Sequence, residues 1–460
     1  MTNITNQIQQ KPTLIKCSHE TLIDILSLFI DFLEKKIIIK VENKTIFRIF
    51  AQNIKLMGKF NLSEVKTNKE IKQWLDFPAK LYKNDPHYVR PLDNEVENVF
   101  DKSRNKLFRH GDAIRFILKD EKGNVVGRIA AFYDEKTSNT YSKEENGQPT
   151  GGCGFFDCIN DQEAANILFD AAKEWNKSHG QEAMDGPVNF GDRDYFWGCL
   201  NEGFTDPVYN MPYNYPYYSK LFENYGFQIF FRQLTYRRVF QAGGIDPILH
   251  EKAKRFYGNP NYSFEILDKR QIDKYADDFL IIYNKAWGSI PGSTKLTRQH
   301  AIGLLNSLKP IIDPRLMHFA YHIDENGKKE PIGFFLLMID LNQIYKGLNG
   351  KMNLLNKLRV LWRVKVIKKC DRAISLVFGI VPEHRGKGLE AGLVCSLESQ
   401  HLKKKFKYKD LQLNWIGDFN PPMMKIAESA GASVFKTHIT YRYLFDREKP
   451  FTRAKLQKNR

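Results

Sequence analysis

The chain has 460 residues, enough for two or three domains, and 42% of them are hydrophobic and 13% aromatic. This composition excludes a disordered, collagen-like or disulfide-based protein for the bulk of the chain. Lysine and arginine number 70 against 53 aspartates and glutamates, so the net charge of +17 favours anionic partners. Phosphate-bearing cofactors, nucleic acid and anionic lipid all fit that charge.

Six cysteines are spread along the sequence without C-x-x-C pairs or the Cys/His spacing of a zinc site. We therefore expect free thiols, a reducing compartment and no bound metal. The N-terminus shows no basic stretch followed by an apolar run and a small-residue cleavage site, so a cytoplasmic location is expected.

Residues 1–60 are predicted to form an extension with one amphipathic helix. Polar residues recur every three or four positions from Glu20 to Glu34 and leave a broad apolar face between Leu22 and Leu33. This segment is too short to span a bilayer, and two aspartates interrupt it. We expect its apolar face to pack on the rest of the protein or on a partner chain, with peripheral membrane contact as the alternative.

The chain contains an internal repeat. Residues 221–240 align without a gap on residues 426–445, and the seven identities include a complete Thr-Tyr-Arg triplet. The strand–turn–strand patterns of residues 113–132 and 318–338 form a second pair at nearly the same offset. The sequence therefore predicts an α/β fold with a mixed sheet, built from two copies of one unit. We place the first repeat at 61–240, the second at 241–446 and a basic tail at 447–460.

In the first repeat, a strand at 152–158 leads into a helix that begins near Asp161. Asp157, Asp161 and Glu163 surround the turn between them and disfavour a diphosphate there. The next two loops, 191–198 and 211–218, combine aromatic and acidic side chains in a way that suits an amine acceptor. The candidate acceptor pocket comprises Asp192, Asp194, Tyr195, Tyr217 and Tyr218. The alternative is a loop that only packs between the two repeats.

Residues 341–370 carry eight lysines and arginines and no acidic residue. The run from Lys351 to Lys369 has the composition of a membrane-surface helix, but its apolar and basic positions overlap when the whole run is plotted at 100° per residue. We therefore predict a solvated basic surface, with a lipid-binding face as the alternative. No RNA-binding motif accompanies the charge, so no nucleic-acid partner is expected.

The sharpest motif lies in the second repeat. An apolar strand at 373–381 runs into Pro382 and an Arg-Gly-x-Gly loop, and a helix begins near Gly388. Gly386 and Gly388 let backbone amides turn toward a ligand without a Cβ in the way. These amides and the helix N-terminus form an anion-binding nest, and Arg385 and Lys387 add positive charge beside it. The pattern predicts a pyrophosphate ligand.

With these residues the sequence resembles the GNAT superfamily of acyl-CoA N-acyltransferases, whose pyrophosphate signature begins just after a central strand. Arg385, Gly388 and Glu390 occupy the three signature positions. The phrases GRIAAF, DGPVNFG, MPYNYPYY and VPEHRGKG also resemble a bacterial group with two tandem GNAT-like units. The resemblance extends from about residue 61 to 446. It implies a tandem duplicated GNAT-like fold that uses acetyl-CoA or a longer acyl-CoA.

By that resemblance, the backbone of Gly379, Ile380 and Val381 would pair with the pantetheine arm of the cofactor. The pyrophosphate would be held by the loop residues His384, Arg385, Gly386, Lys387 and Gly388. An amine would then attack the thioester carbonyl directly, with no covalent enzyme intermediate. The candidate general bases are His384, Asp418 and His438, and the sequence does not choose between them.

Two positions depart from the family pattern. Glu390 stands where glycine or alanine is usual, and its carboxylate must point away from a bound phosphate because the two would repel each other. The tyrosine that protonates the leaving thiolate in many members is replaced by Ala427 in the second repeat and by Phe222 in the first.

The sequence thus predicts an acyl-CoA-dependent N-acyltransferase with one cofactor site per chain, in the second repeat. The first repeat is predicted to be degenerate and to shape the pocket of a small-molecule or lipid amine. Two alternatives stay open at this point. One is a non-catalytic acyl-CoA-binding or regulatory pseudoenzyme, and the other is a membrane-associated enzyme that acylates a lipid amine.

Overall fold

The computed structural model describes residues 59–138, 148–191, 195–240, 244–287, 296–403 and 405–454. The predicted N-terminal helix and the predicted pocket residues Asp192 and Asp194 lie outside these ranges. From residue 59 onward, both repeats belong to one compact unit.

The first repeat interleaves strands and helices. Its strands are β1 (Phe60–Glu64), β2 (Gly111–Asp120), β3 (Val125–Asp134), β4 (Thr150–Cys158), β5 (Ala183–Gly186), β6 (Cys199–Glu202) and β7 (Gln228–Val239). Its helices are α1 (Asn68–Leu81), α2 (Asp93–Phe100), α3 (Glu135–Ser138), α4 (Gln162–Ser178) and α5 (Tyr218–Tyr225). Local sequence sets these boundaries: α1 begins with a reciprocal cap between Thr67 and Glu70.

The second repeat follows the same plan. Its strands are β8 (Tyr262–Ile266), β9 (Met317–Ile323), β10 (Lys329–Ile339), β11 (Arg372–Ile380), β12 (Asp410–Gly417) and β13 (Ser433–Leu444). Its helices are α6 (Pro247–Tyr257), α7 (Ile272–Trp287), α8 (Arg298–Leu308), α9 (Leu341–Tyr345), α10 (Leu354–Trp362), α11 (Leu389–His401) and α12 (Pro421–Ser429). A short π-helical turn, Arg363–Ile367, follows α10, and a 3₁₀ turn, Pro382–His384, follows β11.

The strands of the described residues form one continuous sheet in the order β1-β2-β3-β4-β5-β13-β7-β12-β11-β10-β9-β8, with β6 paired to β13. Only β4–β5 and β11–β12 are parallel, and the other pairs are antiparallel. The two halves match in register: Gly127 lies opposite Cys158 in the first repeat, and Gly333 lies opposite Ile380 in the second. The predicted mixed α/β sheet with a tandem duplication is confirmed.

The last strand of each repeat is exchanged. Strand β7 of the first repeat pairs with β12 of the second, and β13 of the second pairs with β5 of the first. Strands β7 and β13 also pair with each other at the centre, and the tyrosines of the Thr-Tyr-Arg triplets, Tyr236 and Tyr441, are fully buried there. The boundaries 61–240 and 241–446 stay predictions, and the exchange makes the two halves interdependent.

The core lies along both faces of the sheet. Helix α11 is buried almost all round against β9 and β10, and α4 packs on β3. Five of the cysteines lie in the described ranges and are buried free thiols. Within those ranges no cluster of histidine, cysteine, aspartate and glutamate has the arrangement of a metal site. The described helices include none with both the length and the apolar character needed to cross a membrane.

Candidate functional site

Strands β11 and β12 diverge in the middle of the second repeat. Their parallel pairing covers only Arg372–Ile374 opposite Asp410–Gln412. The next residue, Ser375, spans the gap with its side chain: Oγ accepts from the Asn414 N–H at 3.1 Å and donates to the Asn414 carbonyl at 3.3 Å. Beyond it β11 continues to Ile380 with only β10 as a strand partner in the described residues. The freed backbone edge of β11 can pair with an extended ligand.

The loop after β11 presents a row of unpaired backbone donors. Among the described residues, the N–H groups from Gly386 to Glu390 make no hydrogen bond of ordinary length and angle to a carbonyl or side chain. Gly386 and Gly388 have positive φ angles of 69° and 92°, and a Cβ on Gly386 would meet no atom within 4 Å. Helix α11 begins after Gly388, and no side chain caps it. Together these donors form an open anion-binding site at a helix N-terminus.

Basic side chains line this loop unevenly. The predicted binding residue Arg385 donates from Nε to the Ile380 carbonyl at 3.0 Å and from Nη2 to the Ala286 carbonyl at 2.8 Å. Its guanidinium therefore fixes the loop to helix α7. Lys387 is exposed, and Lys252 of α6 would lie 3.7 Å from a Cβ on Gly388. The charge that remains free to meet an anion thus comes from these two lysines.

The Glu390 side chain does not block access to the loop. Gly386 and Lys387 are exposed to solvent, and within the described residues the Glu390 carboxylate accepts no hydrogen bond from the loop amides. The position of the missing tyrosine is part of the core, because Ala427 and Phe222 are both fully buried. A proton for a leaving thiolate therefore cannot come from a side chain at either position.

Two buried amides lie where β11 and β12 diverge. Gln412 is fully buried, and neither its Oε1 nor its Nε2 has a hydrogen-bond partner in the described residues. Asn414 lies two residues further along the strand, where β12 shifts register against β7, and its buried Oδ1 also has no partner in the described residues. An unsatisfied buried polar group costs about 1–3 kcal/mol, so these amides are candidates to bind a ligand. Sequence reasoning missed both, although polar residues alternate with apolar ones in DLQLNWIG.

The three predicted bases lie in different places. His384 ends the 3₁₀ turn before the loop and is half-buried, and its Nδ1 atom has no hydrogen-bond partner within the described part of the chain. Burial, together with the nearby Lys387, lowers the pKa of His384 and so favours its neutral imidazole. Asp418 follows β12 and forms an ion pair with Arg453 at 2.5 Å.

His438 lies on β13, in the centre of the sheet. It is fully buried, its Nε2 lies 3.2 Å from the Pro212 carbonyl oxygen, and its ring lies 4.7 Å from that of Trp197 at an angle of 60°. Burial lowers the pKa of His438 to about 3. Strands β7 and β12 separate it from β11, so the structure does not bring His438 together with the loop.

The corresponding region of the first repeat is closed. Strands β4 and β5 also pair only briefly, at Thr150–Gly152 opposite Ala183–Asp185. Asp157 and Arg128 form a buried ion pair of 2.7 Å, and burial raises the pKa of Asp157 against the effect of that arginine. The hydroxyls of Tyr82 and Tyr218 also donate to Asp157, at 3.1 and 3.2 Å. Asp161 caps α4, because its carboxylate accepts from the Ala164 N–H at 3.0 Å.

A cavity of about 110 Å³ adjoins this buried ion pair. Tyr218 lines it, whereas Tyr217 donates its hydroxyl to the Cys158 carbonyl at 2.7 Å. Tyr195 is half-buried and packs on Phe196, which is part of the wall. The wall also includes Met211 and Tyr213 of the predicted loop 211–218, and residues that sequence reasoning missed, among them Tyr88, Arg90, Arg128 and Phe155. The signal for Arg128 and Asp157 was a charged residue among the apolar residues of each of two strands.

No protein-family model matches the chain. The chain is 28% identical over 383 residues to a bacterial ceramide synthase of Caulobacter vibrioides, covering 82% of this chain and 95% of that protein. It is 25% identical over 377 residues to Protein YghO of Escherichia coli, covering 81% of this chain and 92% of that protein.

Among solved structures, a tandem GNAT protein from the clavulanic acid biosynthesis pathway matches 85% of this chain and 100% of its own, with 12% identity and a TM-score of 0.47. A GCN5-related N-acetyltransferase from Sphaerobacter thermophilus matches 86% of this chain and 98% of its own, with 10% identity and a TM-score of 0.45. The chain has the duplicated mixed α/β sheet that its sequence predicts, and over most of its length it is similar to a bacterial ceramide synthase.

Proposed function

We propose that this protein is an acyl-CoA-dependent N-acyltransferase that forms an amide on an amine acceptor. The observation that carries the proposal is the row of unpaired backbone N–H groups from Gly386 to Glu390, at the uncapped start of α11. A doubly charged diphosphate is the ligand that such a row of donors and a helix N-terminus favour. Lys387 and Lys252 add the positive charge.

The gap between β11 and β12 provides the rest of the proposed acyl-CoA site. From Leu376 to Ile380 the free edge of β11 offers backbone groups to the amide-containing pantetheine arm, as a further strand would. When bound, the acyl-CoA supplies an activated thioester carbonyl. Gln412 and Asn414 provide buried amide groups near the fork of the strands, where they can orient the reacting carbonyl or amine.

The acceptor is proposed to be a lipid amine. A ceramide is the amide of a long-chain amino alcohol and a fatty acid, so the similarity to a bacterial ceramide synthase supports a long-chain amine and a long acyl group over acetyl. The cavity beside Asp157, with its tyrosines and Arg90, has room for several water-sized groups and so for a small polar head. A small-molecule amine is the alternative acceptor, and location in the cytoplasm stays a prediction.

The chemistry requires a neutral amine. Its nitrogen attacks the thioester carbonyl, the carbon–sulfur bond breaks, and the CoA thiolate leaves. Because the amine gives up a proton in this reaction, a group that accepts it is needed. His384 is the candidate among the three predicted bases that lies beside the loop, and burial lowers the pKa of its imidazole, which favours the proton-accepting neutral form.

Two measurements on the purified full chain test the proposal. Calorimetric titration with acetyl-CoA, decanoyl-CoA and palmitoyl-CoA should give one site per chain and an affinity that rises with acyl length. Release of free CoA thiol should then require an amine, and a long-chain amino alcohol should be a better acceptor than a short amine. No binding at millimolar acyl-CoA overturns the proposal. Tight binding without thiol release for any amine supports the pseudoenzyme alternative instead.

A further inference from the structure

Helix α10 exposes an apolar face. Five of its side chains are between 49% and 75% exposed: Leu354, Leu355, Leu358, Leu361 and Trp362. At 100° per residue these positions fall within an arc of about 120°, so they form one stripe along the helix. Val366 and Ile367 of the following turn are exposed as well. Single exposed leucines are common on protein surfaces, but a contiguous stripe of this kind marks an interaction site.

The opposite face anchors the helix to the protein. Asn356 is buried, and its Nδ2 donates to the carbonyls of Lys351 at 2.8 Å and Leu348 at 3.2 Å. Arg363 donates to the carbonyls of Ile344 and Lys346 at 2.5 and 3.0 Å. These bonds fix the rotation of the helix, so its leucines are held facing outward.

Uncompensated positive charge surrounds the stripe. Lys357 and Arg359 lie about 40° beyond its two edges on the helical wheel. No ion pair in the described residues neutralises six exposed basic side chains of this segment: Lys351, Lys357, Arg359, Lys365, Lys368 and Lys369. A leucine stripe with basic residues along both edges matches an anionic surface with an apolar interior.

We propose that the α10 face binds the surface of an anionic lipid bilayer. The leucines and Trp362 would enter the acyl boundary, and the flanking lysines and arginines would contact the lipid phosphates. A nine-residue helix is about 14 Å long, so it lies on the bilayer and cannot span it. A second copy of this chain fits less well, because pairing two such faces would bring their uncompensated positive charges together.

The surface also adjoins the cavity of the first repeat. Asn342 and Tyr345 of α9, just before α10, line a smaller cavity that shares Val89, Arg90 and Met211 with the larger one. The Gly350 carbonyl accepts from the Asp93 N–H at 2.8 Å and ties this segment to α2. If the acceptor is a lipid amine, as proposed above, bilayer docking here brings the cavity close to its source. Docking itself does not depend on that function.

Vesicle sedimentation with the full chain tests the proposal. Vesicles of phosphatidylcholine with 30% phosphatidylglycerol should bind the protein at low salt at least tenfold more tightly than pure phosphatidylcholine vesicles. The double variant Leu355→Asp/Leu358→Asp should lose at least tenfold in affinity, because it places charge in the apolar stripe. Each of Lys357→Gln and Arg359→Gln should lose about fivefold, which corresponds to about 1 kcal/mol per basic residue.

Matched variants keep the test specific. Leu402 is 75% exposed at the end of α11, so Leu402→Asp should leave vesicle binding unchanged. The same holds for Lys122→Gln, which removes one charge from the exposed turn between β2 and β3. Calorimetry with acyl-CoA should give the parent affinity for the leucine variant, which separates loss of docking from misfolding and from failure of the proposed function. Equal binding to both vesicle types, or binding retained by the leucine variant, overturns the proposal. So does a leucine-dependent dimer in sedimentation velocity without vesicle binding.

Discussion

The two repeats use the same strand–turn–helix element in opposite ways. Arg128 lies opposite Asp157 between β3 and β4, and the register positions correspond to Phe334 and Gly379 between β10 and β11. In the first repeat these positions hold a buried ion pair, and a carboxylate caps the helix that follows. In the second repeat they are uncharged, and the helix begins with unpaired amides.

The same contrast recurs where the parallel strands part. The last paired residue of β5 is Asp185, and the guanidinium of Arg442 binds both of its carboxylate oxygens, at 2.6 and 3.0 Å. The last paired residue of β12 is Gln412, whose amide has no partner in the described residues. At this point the first repeat pairs its polar side chain internally, whereas the second leaves the corresponding amide without a partner in the described residues. This difference is what the proposed function predicts if one half of the duplicated fold acts as a scaffold and the other binds the ligand.

The largest effect is expected from breaking the ion pair of the first repeat. Arg128→Met should lower the free energy of unfolding by about 3–5 kcal/mol, because it leaves the Asp157 carboxylate buried without its cation. Denaturant titration measures this loss. The double variant Arg128→Met/Asp157→Leu should be more stable than Arg128→Met alone, since it removes both charges. If the double variant is the less stable of the two, the pair is not what closes the first repeat.

The second prediction places a negative charge before α11 of the second repeat, like the one that precedes α4 in the first repeat. Gly388→Asp places a carboxylate at the start of α11, as Asp161 does at the start of α4. At about 6 Å and an effective dielectric constant of about 20, the nearer phosphate charge alone is repelled by about 2–3 kcal/mol, so acyl-CoA affinity should fall at least about 100-fold. Gly388→Asn is the matched control, because asparagine has the same shape and also tolerates a positive φ.

Calorimetric titration of both variants decides this point. The asparagine variant should keep most of the parent affinity, and the loss in the aspartate variant should shrink at high salt, because screening weakens the repulsion. Equal affinities for the two variants would show that the loop does not bind the diphosphate. The proposed function would then lose its main support.

A third prediction compares two buried glutamines. Gln412→Leu should leave the protein as stable as the parent or more stable by up to about 1–3 kcal/mol, because it removes two unsatisfied polar atoms. Gln233 is equally buried, but its Oε1 accepts from the Thr440 hydroxyl at 2.9 Å. Gln233→Leu should therefore destabilise by about 1 kcal/mol or more.

Thermal unfolding and acyl-transfer assays of the two variants should then show opposite trends. Gln412→Leu should lose acyl-transfer activity while keeping its melting temperature, and Gln233→Leu should lose melting temperature first. Full activity in Gln412→Leu would mean that its amide takes no part in binding the reacting groups.

The sequence predicts the parts of this comparison that depend on local pattern. The two hairpins, the helix starts at Asp161 and Gly388, and the glycine loop all follow from turn residues and periodicity. The exchange of β7 and β13 does not follow from local pattern. Both strands carry the same Thr-Tyr-Arg triplet, so by sequence each could pair with β5 or with β12. The side chain of Arg385 is long enough to reach a ligand or its own backbone, and its spacing does not say which.

The exposed stripe of α10 shows a further reason why sequence pattern alone does not predict every feature. When residues 351–369 are plotted as one ideal helix, apolar and basic positions overlap. In the structure the regular helix covers only Leu354–Trp362, and a π-helical turn shifts the residues that follow. Sequence periodicity separates the two faces only once the ends of the helix are known.

The smallest effect is expected at the closed helix start of the first repeat. Asp161→Ala should destabilise by about 1 kcal/mol, because the Ala164 N–H loses its cap. Asp161→Asn keeps the cap and loses the ion pair with the exposed Lys59, so it should change stability by a few tenths of a kcal/mol at most. Neither variant should add a second acyl-CoA site, because Tyr82, Tyr218 and the Arg128–Asp157 pair still fill the region beside β4. Calorimetric stoichiometry therefore stays at one per chain, and a value of two would mean that the capping carboxylate alone kept this repeat from binding.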